Sequence, residues 1–82
     1  MKKIRFSPNV QAEVRAIDQQ TAMRILAALH RYAESGQGDV KALEAGLDGL
    51  QRLRLGDYRV LFDETEDAIN VHCVKHRSEA YR

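Results

Sequence analysis

Arginine side chains recur at alternate positions on both sides of one dipeptide in this chain. Arg52 and Arg54 precede Gly56-Asp57, and Arg59 follows it. A guanidinium group stays charged at physiological pH and binds phosphate oxygens through paired hydrogen bonds. If these arginines share one surface, that surface could bind a polyanion.

The pattern around Gly56-Asp57 predicts a β-hairpin that gives the arginines a common face. Gly-Asp is a plausible two-residue hairpin loop, and strand side chains alternate between faces. With this loop the facing pairs are Leu55 with Tyr58, Arg54 with Arg59, Leu53 with Val60 and Arg52 with Leu61. Two like charges facing each other cost a few tenths to about 1 kcal/mol. A bound polyanion would offset that cost.

Length and composition limit the class of protein. A chain of 82 residues is predicted to form a single domain over residues 1–82, with one modest core. The net charge of +1 excludes a general polycation, so any binding of nucleic acid must come from how the charges are placed. Cys73 is the one cysteine, which excludes an internal disulfide and a thiolate metal site. The sequence has no long apolar run and no signal-peptide core, so we expect a cytoplasmic protein without membrane contact. We also expect no metal and no cofactor.

Hydrophobic periodicity predicts the element order β-α-α-β-β-β. Ser7-Pro8 is typical of a helix start. The first helix should end near Asp18, and Asp18 can cap the start of the second helix. The second helix should stop at Ser35-Gly36, before a glycine-rich connection over residues 36–49. The predicted strands cover residues 2–7, about 50–55, 58–63 and 68–74. We therefore predict an α+β fold, an antiparallel sheet with a two-helix hairpin packed on one face.

Alternation in the last predicted strand determines which side chains join the arginine face. If Ile69 and Val71 lie on the core side, Cys73 lies there as a small core hydrophobe and His72 points toward the arginines. An unbroken strand would also place Lys75 on the core side, so a role on the arginine face requires the strand to end or bulge before this residue.

The acidic residues between the last two predicted strands are interpreted as a solvated turn: Asp63, Glu64, Glu66 and Asp67.

Three segments carry a family resemblance: Gly38-Asp39-Val40-Lys41, the hairpin from Leu53 to Leu61, and the terminal His76-Arg77-Ser78-Glu79-Ala80-Tyr81-Arg82. Together, and in this order, they resemble the RelE/ParE superfamily of bacterial type II toxin-antitoxin toxins. The resemblance implies a RelE-like toxin fold and a toxin held inactive by a co-encoded, cognate antitoxin. In the RelE branch it implies metal-independent cleavage of mRNA in the ribosomal A site. In the ParE branch it implies inhibition of DNA gyrase.

The resemblance also implies roles for individual residues. The family's basic strand positions fall on Arg52, Arg54 and Arg59, its basic residue after the last strand on Lys75, and its terminal tyrosine on Tyr81. Cleavage of RNA without a metal needs attack by the 2′-hydroxyl, stabilisation of a phosphorane and protonation of the leaving 5′-oxygen. Histidine side chains are common general acids and bases, so His76 could act as either. We predict as catalytic residues Arg54, Arg59, Lys75, His76 and Tyr81, and as RNA-binding residues Arg52, Arg54, Arg77 and His72.

One departure from the family pattern leaves alternatives open. Members of the RelE branch often carry lysines at the positions of Arg52 and Arg54, and an arginine is a poor general base. The preferred interpretation is an mRNA interferase, a ribosome-dependent endonuclease that inhibits translation. The alternatives are a gyrase inhibitor without an active site, and an inactive member that only pairs with an antitoxin and its operator DNA. In a structural interpretation the arginines would form a solvated sheet face, His76 would orient the tail, and Tyr81 would pack on the core.

Overall fold

The computed structural model describes residues 2–42 and 49–78, and in them two helices pack on one face of a five-stranded sheet. The strands are β1 (Lys3–Phe6), β2 (Val40–Ala42), β3 (Leu50–Leu55), β4 (Tyr58–Glu64) and β5 (Ala68–His76). The helices are α1 (Pro8–Arg15) and α2 (Gln19–Ser35). Over the described ranges, neither helix is long and apolar enough to cross a membrane.

The sheet order is β1-β5-β4-β3-β2. This confirms the α+β class with two helices on one face, but the sheet is mixed rather than purely antiparallel. β1 pairs in parallel with β5, whereas the other neighbours pair antiparallel. β2 was not predicted, because a strand of 3 residues in a glycine-rich connection is too short to show alternation. The parallel pair joins opposite ends of the chain, a relationship that local patterns do not contain.

The helix boundaries follow their predicted capping residues. Pro8 occupies the first turn of α1, while the Ser7 hydroxyl donates to Asn9 Oδ1 at 2.6 Å instead of capping the backbone. Asp18 Oδ2 accepts from the Thr21 amide at 3.0 Å, which lowers the pKa of Asp18. Gly36 ends α2 with a φ of 75°, a left-handed conformation that favours glycine. The first helix is shorter than expected, ending at Arg15 and not near Asp18.

The core lies between the helices and one face of the sheet. Val10 of α1 and Ile25 and Leu29 of α2 are fully buried against sheet residues. The sheet contributes Leu53, Val60, Phe62, Ile69, Val71 and Val74. Within each regular stretch of strand these are alternate positions, so the side chains between them project from the opposite surface of the sheet.

A β-bulge in β5 reverses the alternation within that strand. Leu61 pairs with Cys73 and Phe62 pairs with Val71, so His72 is an extra residue between them. The Asn9 side chain of α1 donates to the His72 carbonyl at 2.9 Å and ties the bulge to the helix. A bulge before Lys75 is one of the two conditions under which this side chain was expected to leave the core side.

In β5, odd-numbered residues face the core before the bulge and even-numbered residues face it after the bulge. Val74 is buried opposite Val60. Lys75 therefore lies opposite Arg59, on the face away from the helices. The prediction that Cys73 lies on the core side is wrong, because it pairs with Leu61 beyond the bulge and is only half-buried.

Candidate nucleic-acid interface

The sheet surface opposite the helices, here called the open face, is strongly basic. Strand pairing assigns to it the following described positions: Lys3, Arg5, Lys41, Leu50, Arg52, Arg54, Arg59, Leu61, Asp63, Ala68, Asn70, Cys73 and Lys75. Among these strand positions Asp63 alone is acidic. A chain with almost no net charge thus concentrates positive charge on one side, which favours binding of a polyanion there.

Arg54, Arg59 and Lys75 lie side by side on three neighbouring strands. Arg54 pairs with Arg59 across β3 and β4, as predicted from the hairpin loop, and Arg59 pairs with Lys75 across β4 and β5. The Cβ atoms of directly facing residues are about 5 Å apart. This alignment, here called the cation row, places three basic residues next to one another on the open face.

Arg59 is the anchored member of the cation row. It is 8% exposed, and its Nη1 donates to the carbonyl oxygens of Gly56 and Tyr58 at 3.0 Å each. The interpretation of the arginines as a merely solvated face is wrong for this residue. Its guanidinium is folded over the hairpin turn and supports that turn. Arg54, by contrast, is exposed.

Lys75 is held by a carboxylate from the helical layer. Its Nζ lies 2.5 Å from Oε2 of Glu13 in α1, and the other carboxylate oxygen accepts from the Val74 amide at 2.9 Å. The Lys75 side chain keeps 40% of its surface exposed. An anion bound at the cation row would therefore compete with Glu13 for this ammonium group.

Arg52 extends the basic surface toward β2. It pairs with Lys41 across the two strands, and its Nη2 lies 3.8 Å from Asp39 Oδ1. Within the described residues its Nε is buried without a hydrogen-bond partner. Among the described residues, Asp39 thus pairs only loosely with this guanidinium.

Asp63 organises a second group of polar side chains on the open face. Asn70 Nδ2 donates to Asp63 Oδ2 at 3.0 Å, and His72 Nε2 contacts Asp63 Oδ1. The hydrogen bond from Asn70 has the largest effect on the pKa of Asp63 and the one from His72 the next largest, and both lower it. Asp63 is therefore ionised at neutral pH. Asp63, Asn70 and His72 are called the Asp63 cluster below. His72 thus points to the open face, as predicted.

The predicted solvated acidic turn is wrong for two of its four residues. Asp63 and Glu64 belong to β4 and have side-chain partners, whereas Glu66 and Asp67 are exposed. In the part of the chain that the structure describes, no group of three or more His, Cys, Asp and Glu residues could hold a metal ion.

The predicted residues near the chain end are distributed over different places. His76 pairs with Tyr58, so it lies on the helix-covered side of the sheet, with its ring edge-on to Tyr58 at 5.5 Å. Its Nδ1 accepts from the Ser78 amide at 3.3 Å. Arg77 is exposed, with Nε 3.8 Å from Asp57 Oδ1. Tyr81 lies outside the described residues, so its role stays a prediction.

Glu64 is the centre of a polar network that the sequence analysis missed. It accepts from Tyr32 Oη at 2.7 Å, from Lys2 Nζ at 2.6 Å and from Gln51 Nε2 at 3.2 Å. Burial opposes ionisation of Glu64, but these hydrogen bonds outweigh it and lower its pKa. Burial and the bond to Glu64 raise the pKa of Tyr32 to about 12. The network lies on the helix side and ties α2 to β4, so we assign it to the scaffold.

The family comparison identifies one match. The model for the ParE toxin of the type II toxin-antitoxin system, parDE, matches residues 4–81. A comparison with curated protein sequences finds no match.

Several solved toxin structures share the fold. The RelB-RelE antitoxin-toxin complex from Methanococcus jannaschii matches with a TM-score of 0.77 and 21% identity, over 94% of this chain and 94% of that chain. The archaeal RelE-RelB complex from Pyrococcus horikoshii matches with a TM-score of 0.78 and 24% identity, over 96% and 98%. YafQ from E. coli matches with a TM-score of 0.75 and 11% identity over 100% of both chains. At these identities the likeness establishes the fold.

Proposed function

This chain belongs to the ParE toxin family of type II toxin-antitoxin systems, within the RelE/ParE superfamily. Because the resemblance to that superfamily implies either mRNA cleavage or gyrase inhibition, the site has to decide between them, and we propose that this chain is a metal-independent, ribosome-dependent mRNA endoribonuclease. The observation that carries the proposal is the cation row. Arg54 and Lys75, which lie on either side of the anchored Arg59, could bind the oxygens of one phosphodiester, and Arg59 would add positive charge between them. Cleavage of mRNA by such a toxin would stop translation.

The cation row suits the charged transition state of RNA cleavage. In the reaction the 2′-oxygen forms a bond to phosphorus, the bond from phosphorus to the 5′-oxygen breaks, and the products are a 2′,3′-cyclic phosphate and a 5′-hydroxyl. The 2′-hydroxyl loses its proton and the leaving oxygen gains one. Arg54 and Lys75 would bind the non-bridging oxygens of the phosphorane, with Arg59 fixed between them. Each preorganised donor of this kind commonly contributes about 10²- to 10³-fold in rate.

Proton transfer is the part of the mechanism that the cation row does not supply. Arg54 and Arg59 stay protonated, so neither can accept the 2′-hydroxyl proton. Tyr81 and His76 keep the acid and base roles that the family resemblance implies, as proposals. For His76 this requires substrate to reach past the edge of β5, because the imidazole lies on the helix side. Arg52, Arg77 and His72 are proposed to bind the flanking RNA.

We also propose that a cognate antitoxin covers part of this surface. β1 and β2 are the edge strands of the described sheet, and an added strand can pair with such an edge. An apolar groove of about 280 Å³ lies between Phe6, Val14 and Leu26 and can receive the apolar side of a helix. Acidic residues of the antitoxin would meet the open face. Failure of the toxin and the neighbouring antitoxin to associate at micromolar concentration would contradict this proposal.

The second candidate function is inhibition of DNA gyrase without an active site. It is favoured by the placement of His76 away from the cation row and by arginines, which are poor bases, at positions 52 and 54. In that case the open face would bind protein or DNA and cleave nothing. The two functions predict different cellular targets, protein synthesis and DNA synthesis.

Pulse labelling after induction of the toxin tests the proposed function. Incorporation of labelled methionine should fall before incorporation of labelled thymidine, and primer extension should reveal new 5′ ends within translated mRNA. Arg54→Ala should remove both effects, whereas Arg31→Ala, which removes an exposed arginine from α2, should retain them. An earlier fall in thymidine incorporation with intact mRNA would favour the gyrase inhibitor.

A further inference from the structure

We propose that the Asp63 cluster is a base-recognition subsite that selects guanine in the nucleotide next to the phosphate bound at the cation row. The inference rests on the proposed binding of RNA to the open face and adds base selectivity to it. Asp63 is the one acidic residue among the described strand positions of the open face. An ionised carboxylate on a basic surface repels phosphate, so its place marks where the backbone of a bound RNA does not lie.

The cluster is accessible and its carboxylate is oriented. The side chains of Asp63 and His72 are 33% and 49% exposed. Asn70 engages one oxygen of Asp63 and His72 engages the other, which fixes the plane of the carboxylate. A carboxylate has about four lone-pair sites, so both oxygens can each accept another hydrogen bond. Asp63 therefore presents two fixed acceptors side by side.

Guanine is the base that matches two adjacent acceptors. Its Watson–Crick edge carries the N1–H and the N2 amino group next to each other. Adenine and cytosine place a ring nitrogen lone pair beside their amino group, and that lone pair would face a carboxylate oxygen. Uracil offers a single N–H between two carbonyl oxygens. Single-stranded RNA exposes these edges to proteins that read sequence.

The position of the cluster assigns it to a neighbouring nucleotide. Asp63 follows Arg59 by four residues along β4, which corresponds to about 13 Å between their Cα atoms. The same separation exists on β5, where Asn70 pairs with Asp63 and Lys75 pairs with Arg59. A phosphate held at the cation row is too distant for direct contact with Asp63. The base of an adjoining nucleotide can span the gap.

Binding of short uncleavable RNA tests the subsite without requiring cleavage. We suggest fluorescence anisotropy of the full chain with 2′-O-methyl pentanucleotides, in which a central guanine, inosine or adenine is flanked by uracils. Low salt is needed because phosphate contacts weaken steeply with ionic strength. Wild type should bind the guanine oligonucleotide about tenfold tighter than the adenine one. Inosine, which lacks the N2 amino group, should fall between them.

Two variants separate base recognition from backbone binding. Asp63→Asn should abolish the preference for guanine while leaving the affinity for the adenine oligonucleotide unchanged or higher. Arg54→Ala should weaken binding of all oligonucleotides by the same factor and keep the preference. Thermal melting checks that Asp63→Asn folds, and if it does not, the comparison of guanine with inosine in wild type decides.

The outcomes distinguish the subsite from the proposed enzyme. Equal binding of guanine and adenine by wild type, no binding of any oligonucleotide, or a preference that survives in Asp63→Asn would overturn the subsite. A preference for guanine in a toxin that leaves mRNA intact on the ribosome would support the subsite and reject the endoribonuclease.

Discussion

Lys75 lies directly opposite Arg59 on the open face because His72 adds one residue to β5 before it. Without that bulge, alternation would direct Lys75 toward the helices. Arg54 completes the cation row from the other side of Arg59. The candidate site thus depends on one irregularity in the sheet, which Asn9 of α1 holds by its hydrogen bond to the His72 carbonyl.

Arg54→Ala should greatly reduce toxicity without loss of stability. The side chain is exposed and faces another arginine, so its removal relieves a like-charge pair. If it binds the phosphorane, cleavage should slow by about 10²- to 10³-fold. The measurement is single-turnover cleavage of ribosome-bound mRNA, together with a melting curve.

Arg31→Ala is the matched control for this substitution. It removes the same charge from an exposed position of α2 and should cleave at the wild-type rate. An equal loss of activity in the Arg54→Ala and Arg31→Ala variants would show that net charge determines activity, and wild-type activity of Arg54→Ala would show that the cation row does not need this residue.

Arg59→Ala should destabilise the fold as well as reduce activity. The buried guanidinium donates to two carbonyl oxygens at the hairpin turn, and hydrogen bonds from a charged group contribute about 1.5 to 3 kcal/mol. We expect a lower midpoint of urea denaturation for Arg59→Ala and a smaller decrease for Arg59→Lys. An unchanged midpoint for Arg59→Ala would mean that the hairpin does not depend on this side chain.

Glu13→Gln should strengthen binding of RNA. The substitution removes the carboxylate that competes for the Lys75 ammonium but keeps an oxygen to accept from the Val74 amide. Partly exposed ion pairs are worth up to about 1 kcal/mol, so affinity should rise by at most about fivefold. Weaker binding, measured by anisotropy with the same oligonucleotides, would indicate instead that Glu13 holds Lys75 in its binding position.

Tyr32→Phe should flatten the dependence of stability on pH at both ends of the scale. The pKa of Glu64 is lowered on folding, so its contribution is present above the ordinary carboxyl value of 4.5 and is lost as pH falls. The pKa of Tyr32 rises from 10.0 to about 12 on folding, so its contribution is present below pH 10 and is lost as pH rises toward 12.

The phenylalanine ring can retain the edge contact of Tyr32 with Phe62, which isolates the effect of the hydroxyl. Tyr32→Phe should lower stability at neutral pH by about 1.5 to 3 kcal/mol, because Glu64 loses a donor. Denaturation curves at acidic, neutral and alkaline pH provide the measurement. Parallel pH profiles for wild type and variant would exclude the coupling between Tyr32 and Glu64.

Local signals in the sequence predicted the parts of the fold that short segments determine. The loop Gly56-Asp57 fixed the pairing of Arg54 with Arg59, and Asp18 and Gly36 marked the ends of α2. These features depend on turn and capping geometry within a few residues. The basic character of the open face followed from the same alternation.

Contacts between distant segments could not be predicted in this way. Asn9 contacts the bulge at His72 through a hydrogen bond, and Lys2 and Tyr32 favour the ionised form of Glu64, although all three residues are far away in the chain. The burial of Arg59 is a tertiary property of a residue type that is usually exposed. Only the bulge had a signal in the sequence. Regular alternation along the last strand would place Lys75 on the core side, which conflicts with its proposed role on the open face.

The most direct test of the central claim is cleavage of defined mRNA on purified ribosomes by the full chain. We predict a cut within the codon in the ribosomal A site, a 2′,3′-cyclic phosphate on the upstream fragment, and strong loss of both with Arg54→Ala. The same preparation should leave DNA gyrase supercoiling unaffected. Intact mRNA together with inhibited supercoiling would contradict the account and identify a gyrase inhibitor.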